Sequence, residues 1–96
     1  MPQSLSRIII HLVFSTKNRE QFIAPEHRER MFNYLGGTLN ALGCPVIRVG
    51  GHSDHVHLLF VLGRTISVSK VVEELKKESS KWAKVHVSPA FYWQHG

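Results

Sequence analysis

Gly50-Gly51-His52-Ser53-Asp54-His55-Val56-His57-Leu58-Leu59-Phe60 lies at the middle of this 96-residue chain. A glycine pair and a polar turn lead there into an apolar stretch carrying two histidines two positions apart. On a β-strand such residues point to the same face. His55 and His57 therefore share one surface, and Val56, Leu58 and Phe60 share the other. Burying an imidazole whose nitrogens lack partners is costly, so the histidines belong on an open side. Side by side they suit a divalent metal at a sheet surface. The plainer reading, two half-exposed strand histidines, fits the spacing equally well.

Outward from this strand, residues 6 to 15 form a second apolar, β-branched run. Ile8, Ile10, Leu12 and Phe14 line one face, with Ile9, His11 and Val13 on the other. Lys17 to Gln21 make a polar connection. Pro25 suits the first turn of a helix, with Glu26 and Glu29 near its positive end. Met31, Phe32, Leu35, Leu39 and Leu42 recur at helical spacing, and Gly43 suits the residue after the helix. Gly36-Gly37 inside it carries a propensity cost or marks a close packing contact. Pro45 to Val49 reads as a short strand, joined through Gly50-Gly51 to the strand at 55–62. A second helix begins near Thr65 or Ser67, with Val68, Val71, Val72, Leu75 and Trp82 as its buried stripe. Phe91-Tyr92-Trp93 is expected to be a final strand.

The order β-α-β-β-α-β predicts an α+β fold of the ferredoxin-like split-sandwich type: a four-stranded antiparallel sheet with two helices on one face. Its first and third strands are neighbours, which brings His11 beside His55 and His57 if they share the open face.

Length allows one domain, residues 1–96. Twelve Lys and Arg against seven Asp and Glu give a net charge of +5, which favours a polyanion such as nucleic acid as partner. A single cysteine, Cys44, rules out an internal disulfide and fits a reducing cytoplasm. It follows the helix terminator Gly43, where the negative end of the dipole disfavours a thiolate, so it is rejected as a nucleophile. The run Ile8 to Phe14 is too short to cross a bilayer.

The chain resembles the single-tyrosine HUH transposases of small bacterial insertion sequences, including the repeat-associated tyrosine transposases. The resemblance rests on His11-Leu12-Val13-Phe14-Ser15-Thr16-Lys17-Asn18-Arg19, on Gly50 to His57, and on Glu73-Glu74-Leu75-Lys76-Lys77 running to Ser80-Lys81-Trp82. It spans essentially the whole chain, and His55-Val56-His57 is the triplet that gives the family its name.

The resemblance implies cleavage and joining of single-stranded DNA at element ends folded as hairpins, by proteins that dimerise. It implies that His55 and His57 help hold a divalent ion, Mg or Mn, at the scissile phosphate. In the family a tyrosine on a helix after the fourth strand attacks. This sequence stops at Gly96 before such a helix, so no catalytic tyrosine is expected in it and a chain inactive on its own is anticipated. Tyr34 belongs to the first helix, away from the histidines, and Tyr92 to an aromatic packing run.

His11, Asp54 and His52 are candidates for a further metal ligand, although Asp54 also suits a structural role in the turn. Lys17, Arg19, Arg48, Arg64, Lys77 and Lys81 are the candidate phosphate contacts. Two other readings stand beside this one. A non-catalytic RNA-recognition module would place aromatic residues where His11, His55 and His57 fall. An inhibitory partner would form mixed dimers with an intact transposase. Exposure of Ile9, Val13 and Leu59 on an uncovered sheet favours self-association.

Overall fold

The structure is a computed structural model and describes residues 7–95. The expected start of the first strand at residue 6 lies outside that range. β1 (Ile9–Ser15) is followed by a short 3-10 turn (Lys17–Arg19), then α1 (Pro25–Ala41), β2 (Val46–Gly51), β3 (His55–Val61) and α2 (Val68–His86). The sheet order is β1-β3-β2, with β3 antiparallel to both neighbours. A register irregularity between Val46 and Arg48 lets the β2 edge turn Ile47 outward.

The alternation expected for the strands is present in three dimensions. Val56, Leu58 and Phe60 are fully buried, and Phe14 nearly so, under a layer formed by Met31, Leu35 and Leu39 of α1 and Val71, Leu75 and Ala83 of α2. Ile9 and Val13 on the other face are 55% and 57% exposed. Local signals set the helix ends. Ser67 caps α2 by accepting the Lys70 N–H at 3.1 Å. Gly43 takes φ 76° just past α1, a conformation that costs glycine little. The stripe of α2 is shifted from the expected one: Val68 is exposed, whereas Ser79 is buried. Ser79 donates to the Leu75 carbonyl and accepts the Trp93 indole N–H at 2.9 Å, so its hydroxyl is satisfied inside the core.

Among the described residues the sheet has three strands rather than the expected four. Phe91-Tyr92-Trp93 lies along the outer edge of β1 but forms only an isolated bridge, Thr16 to Trp93. The Lys17 N–H donates to the Tyr92 carbonyl and the Gln94 N–H to the Ser15 carbonyl. The Phe91 and Gln94 carbonyls instead accept from the ammonium groups of Lys84 and Lys76 on α2. Phe91 and Trp93 are anchored in the core, so side chains rather than a strand ladder hold this segment.

Candidate metal and phosphate site on the open sheet face

β3 presents His55 and His57 together on the face away from the helices, as their spacing requires. Their rings are stacked with centroids 6.1 Å apart, and His11 of β1 meets His57 edge-on at 6.0 Å. Register explains the placement. Val13 is paired with His57 and Ser15 with His55, and cross-strand partners share a face. Gly50 of β2 is paired with His57 on the opposite side. Its missing side chain leaves room for the ring: a Cβ there would stand 2.8 Å from His57 Cε1 and 3.3 Å from Nε2.

His55 has a carboxylate neighbour. Its Nδ1 lies 2.9 Å from Asp54 Oδ1, and Arg19 Nε donates to Asp54 Oδ2 at 2.9 Å. Hydrogen bonding from His55 first, and from Arg19 second, holds the Asp54 carboxyl at about 2, below its ordinary 3.8. Asp54 is thus engaged as a neighbour of His55. His52 is exposed, and its backbone N–H donates to the His55 carbonyl. Among the described residues, no three His, Cys, Asp or Glu side chains are grouped closely enough to hold an ion by themselves. Two imidazoles on one face would supply two ligands to a divalent ion, and the rest of its coordination sphere would have to come from outside these side chains.

A profile of the family described as "Transposase IS200 like" matches residues 4–96. The chain belongs to the IS200-like transposase family. Its fold is also that of a candidate transposase from Deinococcus radiodurans solved by crystallography. The two superpose with a TM-score of 0.82 at 17% identity, over 100% of this chain and 84% of the other. No curated protein matches it in sequence.

In this IS200-like transposase chain the expected phosphate contacts fall on more than one surface. Arg48 is paired with Leu59 and so stands on the histidine face, exposed. Arg19 is tied through Nε to Asp54, although two-thirds of its side chain reaches solvent. Lys17 lies 5.9 Å from the Tyr92 ring centroid at the β1 edge, and Arg64 is exposed in the turn after β3. Lys77 and Lys81 lie on α2, paired with Glu74 at 3.2 Å and Glu78 at 3.6 Å. Ion pairs at a helix surface such as these contribute little to stability. The Glu74 carboxyl is held below its usual range by Lys77 first and then Lys70.

Each tyrosine packs against residues other than the sheet histidines. Tyr34 stacks on Trp82 between the helices, ring centroids 5.6 Å apart. Tyr92 lies under the Lys84 ammonium, 3.6 Å from its ring centroid. Cys44 is buried, and its sulfur accepts the Gly63 N–H. No described helix is long and apolar enough to cross a membrane. Sequence reasoning missed two contributors to the site: Gly50 as the floor under His57, and the Arg19–Asp54 pair behind His55. The signal for the first was the Gly50-Gly51 doublet, which a turn alone does not require beside a strand.

Proposed function

We propose that this chain binds single-stranded or hairpin DNA at insertion-sequence ends across its open sheet face. His55 and His57 are then two ligands of a divalent ion, Mg or Mn, that sits against a backbone phosphate. The observation that carries this reading is the stacked pair of imidazoles on the uncovered side of the sheet, 6.1 Å apart. When bound, such an ion would supply positive charge that offsets the negative charge developing at the scissile phosphate. The two histidines fix where that phosphate lies, and Arg48 on the same face adds positive charge along the strand. Attack on phosphorus needs a hydroxyl near the histidines. Tyr34 and Tyr92 are both held elsewhere, so this chain alone binds DNA without forming a tyrosine-linked product.

The test is binding of a hairpin oligonucleotide with and without Mn2+. Metal-enhanced binding that is lost in the His55→Ala, His57→Ala double variant supports the reading. Metal-independent binding that the double variant retains contradicts it. A covalent adduct on Tyr34 or Tyr92 contradicts the inactivity of the isolated chain.

A second reading is favoured by the exposed Ile9 and Val13 beside the histidines. That apolar face suits pairing with a second copy or with an intact relative, which this chain then inhibits. Inhibition of this kind survives the double histidine substitution, whereas a role through the ion does not.

A further inference from the structure

Asp54 is held more firmly than a turn residue requires. Asn18 and Arg19 are consecutive non-glycine residues in the left-handed region, φ 56° and 57°. Asn enters that region readily, whereas Arg persists there only where its surroundings impose it. Those surroundings are present. Thr16 is fully buried, and its hydroxyl donates to the Glu20 carbonyl at 2.6 Å. The Arg19 N–H donates to the Thr16 carbonyl at 3.0 Å, and the Asn18 N–H to Gln94 Oε1 at 3.2 Å. The turn so built delivers the Arg19 guanidinium to Asp54 Oδ2.

The loop that carries Asp54 is fastened from the other side. The Thr16 N–H donates to the Asp54 carbonyl at 2.9 Å, and the Ile23 N–H to the Ser53 carbonyl at 2.9 Å. Arg28 Nη2 donates to Ser53 Oγ at 2.7 Å. The Asp54 carboxylate is thus fixed at its backbone and at Oδ2, which leaves Oδ1 aimed at His55 Nδ1. An ionised carboxylate only accepts, so the proton of that contact belongs to the imidazole.

We infer that Asp54, clamped by Arg19, is a positioning residue that holds His55 as the Nδ1–H tautomer and leaves Nε2 as its donor atom. A carboxylate behind a ligating histidine orients the ring and strengthens its remaining nitrogen as a donor. The inference rests on the proposed role of His55 for its consequence, but not for its test. The tautomer is read on the metal-free protein.

The experiment is long-range 1H–15N correlation of the histidine rings at a pH above the usual histidine range, in the wild type and in Asp54→Ala. Asp54→Ser, too short to reach Nδ1, serves should the alanine variant fail to fold. The expected result is a wild-type His55 protonated on Nδ1, which shifts toward the Nε2–H form in the variant while His57 is unchanged. A wild-type His55 protonated on Nε2, or a tautomer indifferent to Asp54, overturns the inference. Mn2+ titration of the same samples gives the consequence: affinity about 10- to 100-fold weaker in the variant. Failure of the wild type to bind Mn2+ sinks the proposed ion site, while the tautomer result still decides the role of Asp54.

Discussion

Gly50 lies beneath the His57 imidazole, and a methyl group on its Cα would meet Cε1 at 2.8 Å. The obstructed atoms belong to the far end of a side chain, so the ring yields rather than the backbone. Gly50→Ala is therefore expected to fold with a urea midpoint near that of the wild type, yet to bind Mn2+ at least about tenfold more weakly, as loss of ligand orientation does. Joint loss of stability and binding would show that Gly50 serves the sheet and not the ring.

Gly51 provides the contrast. It has φ 153°, and a Cβ there would collide with the backbone carbonyl of His55, which cannot step aside. Gly51→Ala is expected to cost roughly 2 kcal/mol or more in chemical denaturation. An unchanged midpoint contradicts the tight turn.

Gly37 is neither strained nor packed. It lies inside α1, exposed, and a Cβ would meet nothing within 4 Å. Gly37→Ala should stabilise the chain by about 0.5–1 kcal/mol, the helix-propensity difference. Destabilisation would mean that a surface covers this position in solution.

The acid limb of the stability curve should report the Asp54 contacts. The folded carboxyl lies at about 2 and its ordinary value is 3.8, so the native state keeps the carboxylate while the unfolded chain takes up a proton. The stabilisation is complete above 3.8 and is lost as the pH falls toward 2. The difference in urea midpoint between wild type and Asp54→Ala should narrow across that window. A difference that stays constant through it contradicts the pairing with His55 and Arg19.

Ser79 ties the segment after α2 to the core by accepting the Trp93 indole N–H. Ser79→Ala leaves that N–H buried without an acceptor, at a cost of about 1–3 kcal/mol. Hydrogen exchange of the Lys17 and Gln94 amides should accelerate more than that of β3. Uniform acceleration would mean that the segment is not separately held.

Strand alternation made β1 and β3 legible in the sequence, because the sheet buries only one face and period two is then unambiguous. Gly43 and the Ser67 cap were legible because each solves a local problem at a helix end. The Arg19–Asp54 pair was not, since it joins two motifs 35 residues apart through backbone angles that an arginine rarely adopts. Phe91-Tyr92-Trp93 misled for a related reason. Its aromatic composition signals burial in a strand, but Phe91 and Trp93 pack into the core while lysines of α2 take the carbonyls that a ladder would use. The sequence therefore shows two rings on a face with His11, His52 and Asp54 as candidate neighbours, but not the contacts that set their positions.

The most direct measurement of the central claim is paramagnetic line broadening by Mn2+ in a 1H–15N spectrum of the intact chain. The account predicts broadening centred on His55 and His57, reaching Gly50 and Val13 across the sheet, and abolished by the double alanine substitution. Broadening centred on the α2 carboxylates, or a pattern that survives loss of both histidines, contradicts it.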